Sequence, residues 1–239
     1  MIEKHLLKLR ARDDVGDEEE RAIKGLVSHT VDIPADEIFI RAGRELSEST
    51  LLLDGWMARA KDLKSGQRQL AELHVSGDFV DLHGFTLKRL DHDILTLSKC
   101  RVAVVPHHRL KELTGRFPHL TRLYWFMTNI DASIQREWTL SLGRRTAISR
   151  MAQLLCELRL RLQVIGLAHG NSYDFPLTQV ELGECLGLTS VHVNRTLQQL
   201  RRKGVLELEQ RRVTILDVDA LERIAEFDNR YLYLERRQH

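Results

Sequence analysis

The side chains best suited to chemistry crowd into one stretch near the C-terminal end: Ser190, Val191, His192, Asn194 and Arg195, then Arg201, Arg202, Lys203, Arg211 and Arg212. Between residues 189 and 212 the chain carries six Arg and Lys against two Glu, inside a protein whose formal net charge is only +2. Such a local excess is an electrostatic footprint for a polyanion. An arginine fork matches the two acceptors on a guanine edge, hydroxyls and amides can bond to bases, and further arginines can meet phosphates. No nucleophile paired with a base, and no clustered acid and base, can be identified anywhere along the chain.

Those side chains need a scaffold, and the surrounding residues 177–215, LTQVELGECLGLTSVHVNRTLQQLRRKGVLELEQRRVTI, spell one out. Thr178 with Glu181 three residues later reads as a capping box that opens a short helix, with Leu182 and Leu186 on one face. Gly183 falls where two steeply crossing helices leave no room for a side chain, and Gly187 supplies the positive φ that ends the first of them. Thr189 or Ser190 caps a second helix whose buried side is Val193, Leu197 and Leu200. That arrangement turns Ser190, Val191, His192, Asn194 and Arg195 outward near the helix N-terminus. Two short strands, Leu206 to Leu208 and Arg212 to Leu216, then make a hairpin around Glu209, Gln210 and Arg211. Helix, turn, helix and wing form one way to put a helix into the major groove of DNA. The bland alternative is an amphipathic helix pair with an idle basic surface, but the glycines, cap, apolar positions, basic helix end and wing all fall in register.

A length of 239 residues allows one large domain or two smaller ones. No apolar run reaches the length of a membrane span, and MIEKHLLKLRARDD lacks the apolar core of a signal peptide, so a cytoplasmic protein without a membrane partner is expected. The three cysteines, Cys100, Cys156 and Cys185, are far apart and show neither disulfide nor metal spacing. Each has apolar neighbours, so the expected role is that of a small buried hydrophobe, with a redox switch as the alternative.

Residues 3 to 10 repeat at helical spacing, and an acidic run from Asp13 to Glu20, expected to be a solvated face, leads into a second helix ending near Val27. From Val31 the texture becomes short apolar segments with glycines at 43, 55, 66 and 77, the rhythm of strand plus turn. Residues 31 to 106 therefore read as one antiparallel β domain, with a hairpin tip at Ser65-Gly66 and a helical interruption around Asp81 to Leu90. After a short helix from His107 to Leu113, Pro118 opens a long helix reaching about Leu142. Leu120, Leu123, Met127, Ile130 and Ile134 alternate spacings of three and four, a coiled-coil seam, and dimerisation is preferred over packing on the β domain. Gly143, Arg144 and Arg145 read as a hinge, followed by a helix lined by Ile148, Met151, Leu154, Leu155, Leu158 and Leu162. Residues 166 to 176 read as a polar loop. Val218 to Phe227 reads as a last helix, and YLYLERRQH as a tail whose aromatics pack back onto the domain.

This order of elements resembles the Crp/Fnr superfamily of bacterial transcription regulators along nearly the whole chain. The similarity rests on IRAG at 40–43, LLLDG at 51–55, GDFVDLHG at 77–84, REWTLSLGRRTAISRMAQLLCEL at 136–158, and the stretch from Leu177 through LRRKGVLE. The hinge stretch is similar to that of a proteobacterial subgroup whose effectors are mostly unassigned. The resemblance implies an α+β fold: a cupin-like antiparallel β-roll sensor (with its N-terminal helices, residues 1–117), a dimerisation helix and hinge (118–145), and a Crp-type winged helix-turn-helix (146–239). It further implies a homodimer on two-fold symmetric double-stranded DNA, with RNA polymerase as a partner if the protein activates. Arg195 matches the family's guanine-reading arginine and Thr178 its phosphate-contacting threonine; Thr189, Ser190, Val191, His192, Asn194 and Arg211 complete the expected contact set. The family's glutamate four residues before that arginine is Val191 here, which cannot accept from cytosine but can touch a thymine methyl, so a different half-site is expected.

The sensor half departs from the cyclic-nucleotide binders. Their glycine-glutamate-leucine segment, with arginine about ten residues on, holds ribose and phosphate. Here VDLHGFTLKRLDHD puts Asp81, Leu82 and His83 at the first group and Leu90 and Asp91 at the second, so cyclic AMP is not expected, although Arg89 or Lys88 could compensate. The N-terminal cysteine cluster of the iron–sulfur sensors is absent, and no such cluster is expected. His74, His83, His92, His107 and His108 keep a haem or metal sensor as an alternative, though they lack ligand spacing. An unknown effector touching Asp81, His83, Arg89, Gln135 and Arg136, or a degenerate sensor that binds nothing, are the remaining readings, and no metal site is assigned. Two other functions compete with a DNA-binding regulator: a metal-dependent cupin-like enzyme with an appended binding domain, and a co-regulator that uses the helix pair to bind protein.

Overall fold

The computed structural model describes residues 1–236. The last three residues of the expected tail lie outside the described residues. The chain forms two compact units, residues 1–61, 72–132 and those from 233 on, and residues 62–71 with 133–232. Among the described residues no helix is long and apolar enough to cross a membrane.

The first unit opens with helices α1 (Glu3–Arg10) and α2 (Asp17–Lys24). Strands β1 (His29–Ile33), β2 (Ile38–Ile40), β3 (Glu48–Asp54), β4 (Trp56–Asp62) and β5 (Arg68–Val75) follow, then a single helical turn α3 (Gly84–Leu87), β6 (Asp93–Thr96), β7 (Cys100–Pro106) and α4 (His107–Arg116). The strands make two antiparallel sheets, ordered β1-β7-β3 and β2-β6-β4-β5. Alternation along the strands divides the core in two. Leu52 and Val102 face the roll interior with Ile33, Ile40, Met57, Val80 and Ile94. Leu51, Ala103 and Val105 face the other way, toward Leu6, Leu9, Ile23, Leu110 and Leu113 of the helices. Burial on both faces explains why residues 102–105 of β7 read as an uninterrupted apolar run rather than an alternating one.

The acidic run is only in part the solvated face its composition predicts: Asp14, Asp17 and Glu18 are exposed, but the run also makes ion pairs. Glu20 pairs with Arg10 and Lys24, Glu18 with Arg116, and both Asp13 and Glu19 hold His119, whose ring nitrogens lie 3.2 and 2.7 Å from the two carboxylates. The run therefore fastens the N-terminal helices to the helices that follow the β-roll.

Helix α5 (Pro118–Arg144) is continuous through Gly143, and the chain breaks at Arg145 and Thr146 instead. Thr146 caps α6 (Ala147–Val164) by accepting from Ser149 N. The seam expected on α5 meets a different fate. Leu120 and Leu123 are buried in the first unit's core and Met127 packs against it, while Ile130 and Ile134 are also buried. The more apolar stripe of the helix is closed within the chain itself, where Leu120 and Leu123 bury their hydrocarbon beside residues of α1, α4 and β7. A second stripe stays exposed: Arg122, Trp125, Asn129, Ala132, Arg136, Thr139 and Gly143, again at spacings of three and four.

In the second unit α6 packs against α7 (Gln179–Leu186), α8 (Ser190–Arg202) and α9 (Val218–Ala225). The stretch expected as a polar loop contains a hairpin, β8 (Ala168–His169) and β9 (Ser172–Asp174), which joins β10 (Leu206–Glu209) and β11 (Arg212–Ile215) in a sheet ordered β10-β11-β9-β8. Tyr173 and Phe175, two apart, are fully buried beneath it, and the Tyr173 hydroxyl donates to Leu155 O at 2.9 Å. Of the tail, Leu232 is buried in this unit, Tyr231 bonds within it, and Tyr233 meets the Phe126 ring edge-on in the first unit.

One buried carboxylate ties the end of α5 to this unit. Glu157 has no exposed surface, and it accepts from Trp138 Nε1 at 3.1 Å, the Tyr231 hydroxyl at 2.9 Å, Gln153 Nε2 at 3.4 Å and Arg161 Nη1 at 3.1 Å. Four donors on one desolvated carboxylate offset its burial cost, whereas removing it strands the donors. Glu157→Ala is therefore expected to destabilise the protein by about 3–5 kcal/mol in chemical denaturation. A loss under about 1 kcal/mol would show that the network holds nothing in place.

Candidate nucleic-acid interface

The turn between α7 and α8 is set by backbone contact. A Cβ on Gly183 would lie 2.4 Å from Leu188 O, and Leu188 N donates to Gly183 O at 2.9 Å. Gly187 ends α7 at φ +63°, a conformation that costs a side-chain-bearing residue free energy. The capping box is closed: Thr178 Oγ1 accepts from Glu181 N at 3.2 Å, and Glu181 Oε2 accepts from Thr178 N at 2.6 Å. Thr189, not Ser190, caps α8 by accepting from His192 N at 3.3 Å.

These restraints fix which side of α8 is free. Val193, Thr196, Leu197 and Leu200 are buried, and Ser190, Val191, His192, Asn194 and Arg195 are exposed, Val191 at 69%. At 100° per residue, Val191, Arg195, Gln198 and Arg202 form the ridge directly opposite the buried side. Gln198 and Arg202 are missing from the site as read from sequence, although the same 3.6-residue arithmetic reaches them. Arg195 makes no hydrogen bond or ion pair among the described residues, so its fork is available. The wing turns at Gln210 and Arg211, both at positive φ (48° and 61°), which is the geometry of a two-residue hairpin. Arg211 is exposed at that tip, Arg201 bonds Leu208 O across to the wing, and Arg212 pairs with Asp174 at 3.1 Å. Thr178 and Thr189 are exposed at the N-termini of α7 and α8.

The residues expected to touch an effector are divided between environments. Asp81 is fully buried, with Oδ1 accepting from Thr50 N at 2.6 Å and Oδ2 without a partner. His83 stacks at a tilt on His92, ring centroids 5.2 Å apart, and the Nε2 atoms of both rings are buried without partners. Arg59, which sequence reasoning missed, supplies the charge here: its guanidinium donates to Val80 O at 3.0 Å, Glu72 Oε2 at 2.5 Å and Asp131 Oδ2 at 3.0 Å. Arg59 stands in β4, WMARAKD, whose first five residues are all buried, so no alternation of polar and apolar residues marks it out. Arg89 is exposed, 3.5 Å from Glu45, and does not enter this interior. Gln135 and Arg136 belong to the second unit, where Gln135 donates to Ala71 O at 2.6 Å and Arg136 is exposed. Among the described residues no group of three or more His, Cys, Asp or Glu is arranged to hold a metal. Cys100, Cys156 and Cys185 are separately buried, and burial pushes the Cys156 thiol up to about 12.

Residues 149–224 match the model of the Crp-like helix-turn-helix domain. A probable transcriptional activator of Rhizobium leguminosarum bv. viciae is 31% identical over 186 residues, 77% of this chain and 76% of the relative. The chain belongs to the Crp/Fnr family of transcription regulators. The transcriptional activator protein FnrL of Cereibacter sphaeroides is 28% identical over 203 residues, covering 84% of this chain and 81% of its own. The structure of FixK2 from Bradyrhizobium japonicum superposes with a TM-score of 0.76 at 25% identity, over 83% of this chain and 98% of that one. This Crp/Fnr member is thus a DNA-binding transcription regulator and not an enzyme, and its antiparallel sheets, long helix and C-terminal helix-turn-helix follow the family architecture.

Within this Crp/Fnr chain the β-roll interior has unusual proton chemistry. Burial drives the Asp81 carboxyl up to about 7, against the opposing pull of the Thr50 bonds and Arg59. Burial, and then the Arg59 charge, hold His83 down to about 3, and burial likewise lowers His92. A carboxyl whose folded pKa is raised contributes stability that is complete below its unfolded value near 4 and is lost as the pH rises through about 7. Asp81→Asn removes that loss, so the variant's melting temperature relative to the wild type is expected to climb between pH 4 and pH 7 and then level off. A difference that stays flat across that range in thermal melts would mean that Asp81 is ionised in the folded protein.

Proposed function

We propose that the protein acts as a homodimer on a two-fold symmetric DNA site, with α8 of each copy in the major groove. The observation that carries this reading is the exposed ridge of α8, where Val191 and Arg195 stand opposite the buried Val193, Leu197 and Leu200. Arg195 reads guanine, Val191 contacts a thymine methyl, and Ser190, His192 and Asn194 lie close enough to the helix N-terminus to reach neighbouring bases. Thr178, Thr189 and Arg211 meet phosphates and set the register. In this account residues 1–117 are the sensor, 118–145 the dimerisation segment and 146–239 the reader, working in the cytoplasm, with RNA polymerase as partner where the protein activates.

The second copy takes the exposed stripe of α5 rather than the stripe expected from sequence. Trp125 is 68% exposed, Ala132 is small enough for close helix approach, and Asn129 between them is the kind of polar seam residue that fixes register and strand number. The β-roll either senses an effector around Asp81, His83 and Arg59 or is degenerate, and the absence of a cyclic-nucleotide signature supports an effector other than cyclic AMP.

Arg195→Ala is expected to weaken binding to the cognate duplex by about 1–3 kcal/mol and to relax preference at one base pair in each half-site, with folding unchanged. Equal loss on cognate and random duplexes would make Arg195 a backbone contact. Ala132→Glu, on the exposed stripe, is expected to give folded monomers by sedimentation with far weaker DNA binding. Met127→Glu, by contrast, puts charge against the core and lowers stability. A dimeric Ala132→Glu protein would remove the exposed stripe from the interface.

A further inference from the structure

The outward ridge of α8 carries a second polar reader beyond Arg195. Gln198 lies on that ridge, three residues past Arg195, and its Nε2 donates to Asn194 Oδ1 at 3.0 Å; both side chains are exposed. The two residues are four apart, one helical turn, so the bond runs along the helix surface and brings the two amides side by side. Once it is made, Asn194 Nδ2 keeps both of its N–H donors and Gln198 Oε1 keeps its acceptor lone pairs. A concerted half-turn of both amides exchanges the residues but leaves the same offer, a donor and an acceptor side by side.

Only one base edge in the major groove is complementary to that offer. Guanine presents two acceptors, cytosine a donor, thymine an acceptor beside a methyl, and adenine one acceptor with one donor. We propose that the Asn194–Gln198 pair is a specificity determinant that selects an A·T base pair next to the guanine read by Arg195, once in each half-site. This rests on α8 being the recognition helix. The bond between the two amides, worth a few tenths of a kcal/mol on an exposed helix face, biases them toward the arrangement that meets the base together. The neighbours are consistent with this division of labour. Val191 and Arg195 occupy the N-terminal half of the ridge, and Arg202, at its C-terminal end, is left for the backbone.

The test is selection of random duplex DNA on the full-length wild type and on Gln198→Ala, Asn194→Ala, Gln198→Glu and the Asn194→Ala/Gln198→Ala double variant, followed by affinities on duplexes changed at single positions. The wild-type motif is expected to hold a guanine with an adjacent fixed A·T pair. Each alanine variant is expected to lose about ten- to a hundred-fold of discrimination at the A·T pair alone and to keep the guanine. The double variant is expected to lose no more than either single one, because the two amides act as one reader. Gln198→Glu, which can only accept, is expected to shift the preference at that position toward cytosine. Uniform loss of affinity with an unchanged motif would make the pair a phosphate contact and overturn the proposal, as would an unchanged affinity and motif. A motif lacking the guanine, or one insensitive to Arg195→Ala, would overturn the recognition-helix reading itself.

Discussion

The close approach of Gly183 to the carbonyl of Leu188 is the constraint on which the DNA-binding half depends. It lets the backbones of α7 and α8 meet without a side chain between them, and the left-handed residue at Gly187 then sends the chain into the second helix at a steep angle. Once that crossing is fixed, the apolar side of α8 has a single place to go, and the ridge bearing Val191, Arg195, Gln198 and Arg202 must face outward. The caps at Thr178 and Thr189 and the wing bonded through Arg201 hold the ridge still. A helix placed this way has its backbone fixed by the fold, so the outward ridge keeps one position relative to the wing.

The β-roll half is organised by a different device, a buried charge. Arg59 spends its guanidinium on Val80, Glu72 and Asp131, and Asp131 belongs to α5. The β-roll interior and the long helix are therefore joined by an ion pair whose partial desolvation makes its geometry costly to change. Asp81, His83 and His92 lie near that charge, each with a buried polar atom that has no partner, so the interior is more polar than a hydrocarbon core. At the other end of α5, Trp138 is anchored on Glu157. One helix thus carries an ionic tie in the first unit and a hydrogen-bonded tie in the second, with an exposed stripe along its length.

Much of this was legible in the sequence where short-range rules govern. The capping box, the glycine turn and the apolar spacing of α8 are local, and each predicted residue sits where local geometry requires. The turn-punctuated β domain was legible for the same reason. The stripe expected to be a seam is buried within the chain, because α5 has two stripes of the same period and periodicity cannot say which of them the rest of the chain will cover. Leu120 and Leu123 went to the chain's own core because α1, α4 and β7 are there to receive them. The β8–β9 hairpin escaped notice because strands of two and three residues leave no alternation to see. Arg59, Glu72 and Asp131 come from three separate elements, so only the tertiary structure brings them together. Arg89, expected to touch an effector, lies on the surface beside Glu45.

In the proposed arrangement two copies of this chain read one DNA site through α8, with phosphates supplying much of the affinity. The most direct test is an equilibrium titration of a duplex carrying a selected site, repeated over a range of salt concentrations, with the mass of the complex measured by sedimentation. The account predicts two chains per duplex and an affinity that falls linearly on logarithmic axes, with a slope of about −0.9 for each phosphate neutralised. One chain per duplex, or an affinity indifferent to salt, would contradict it.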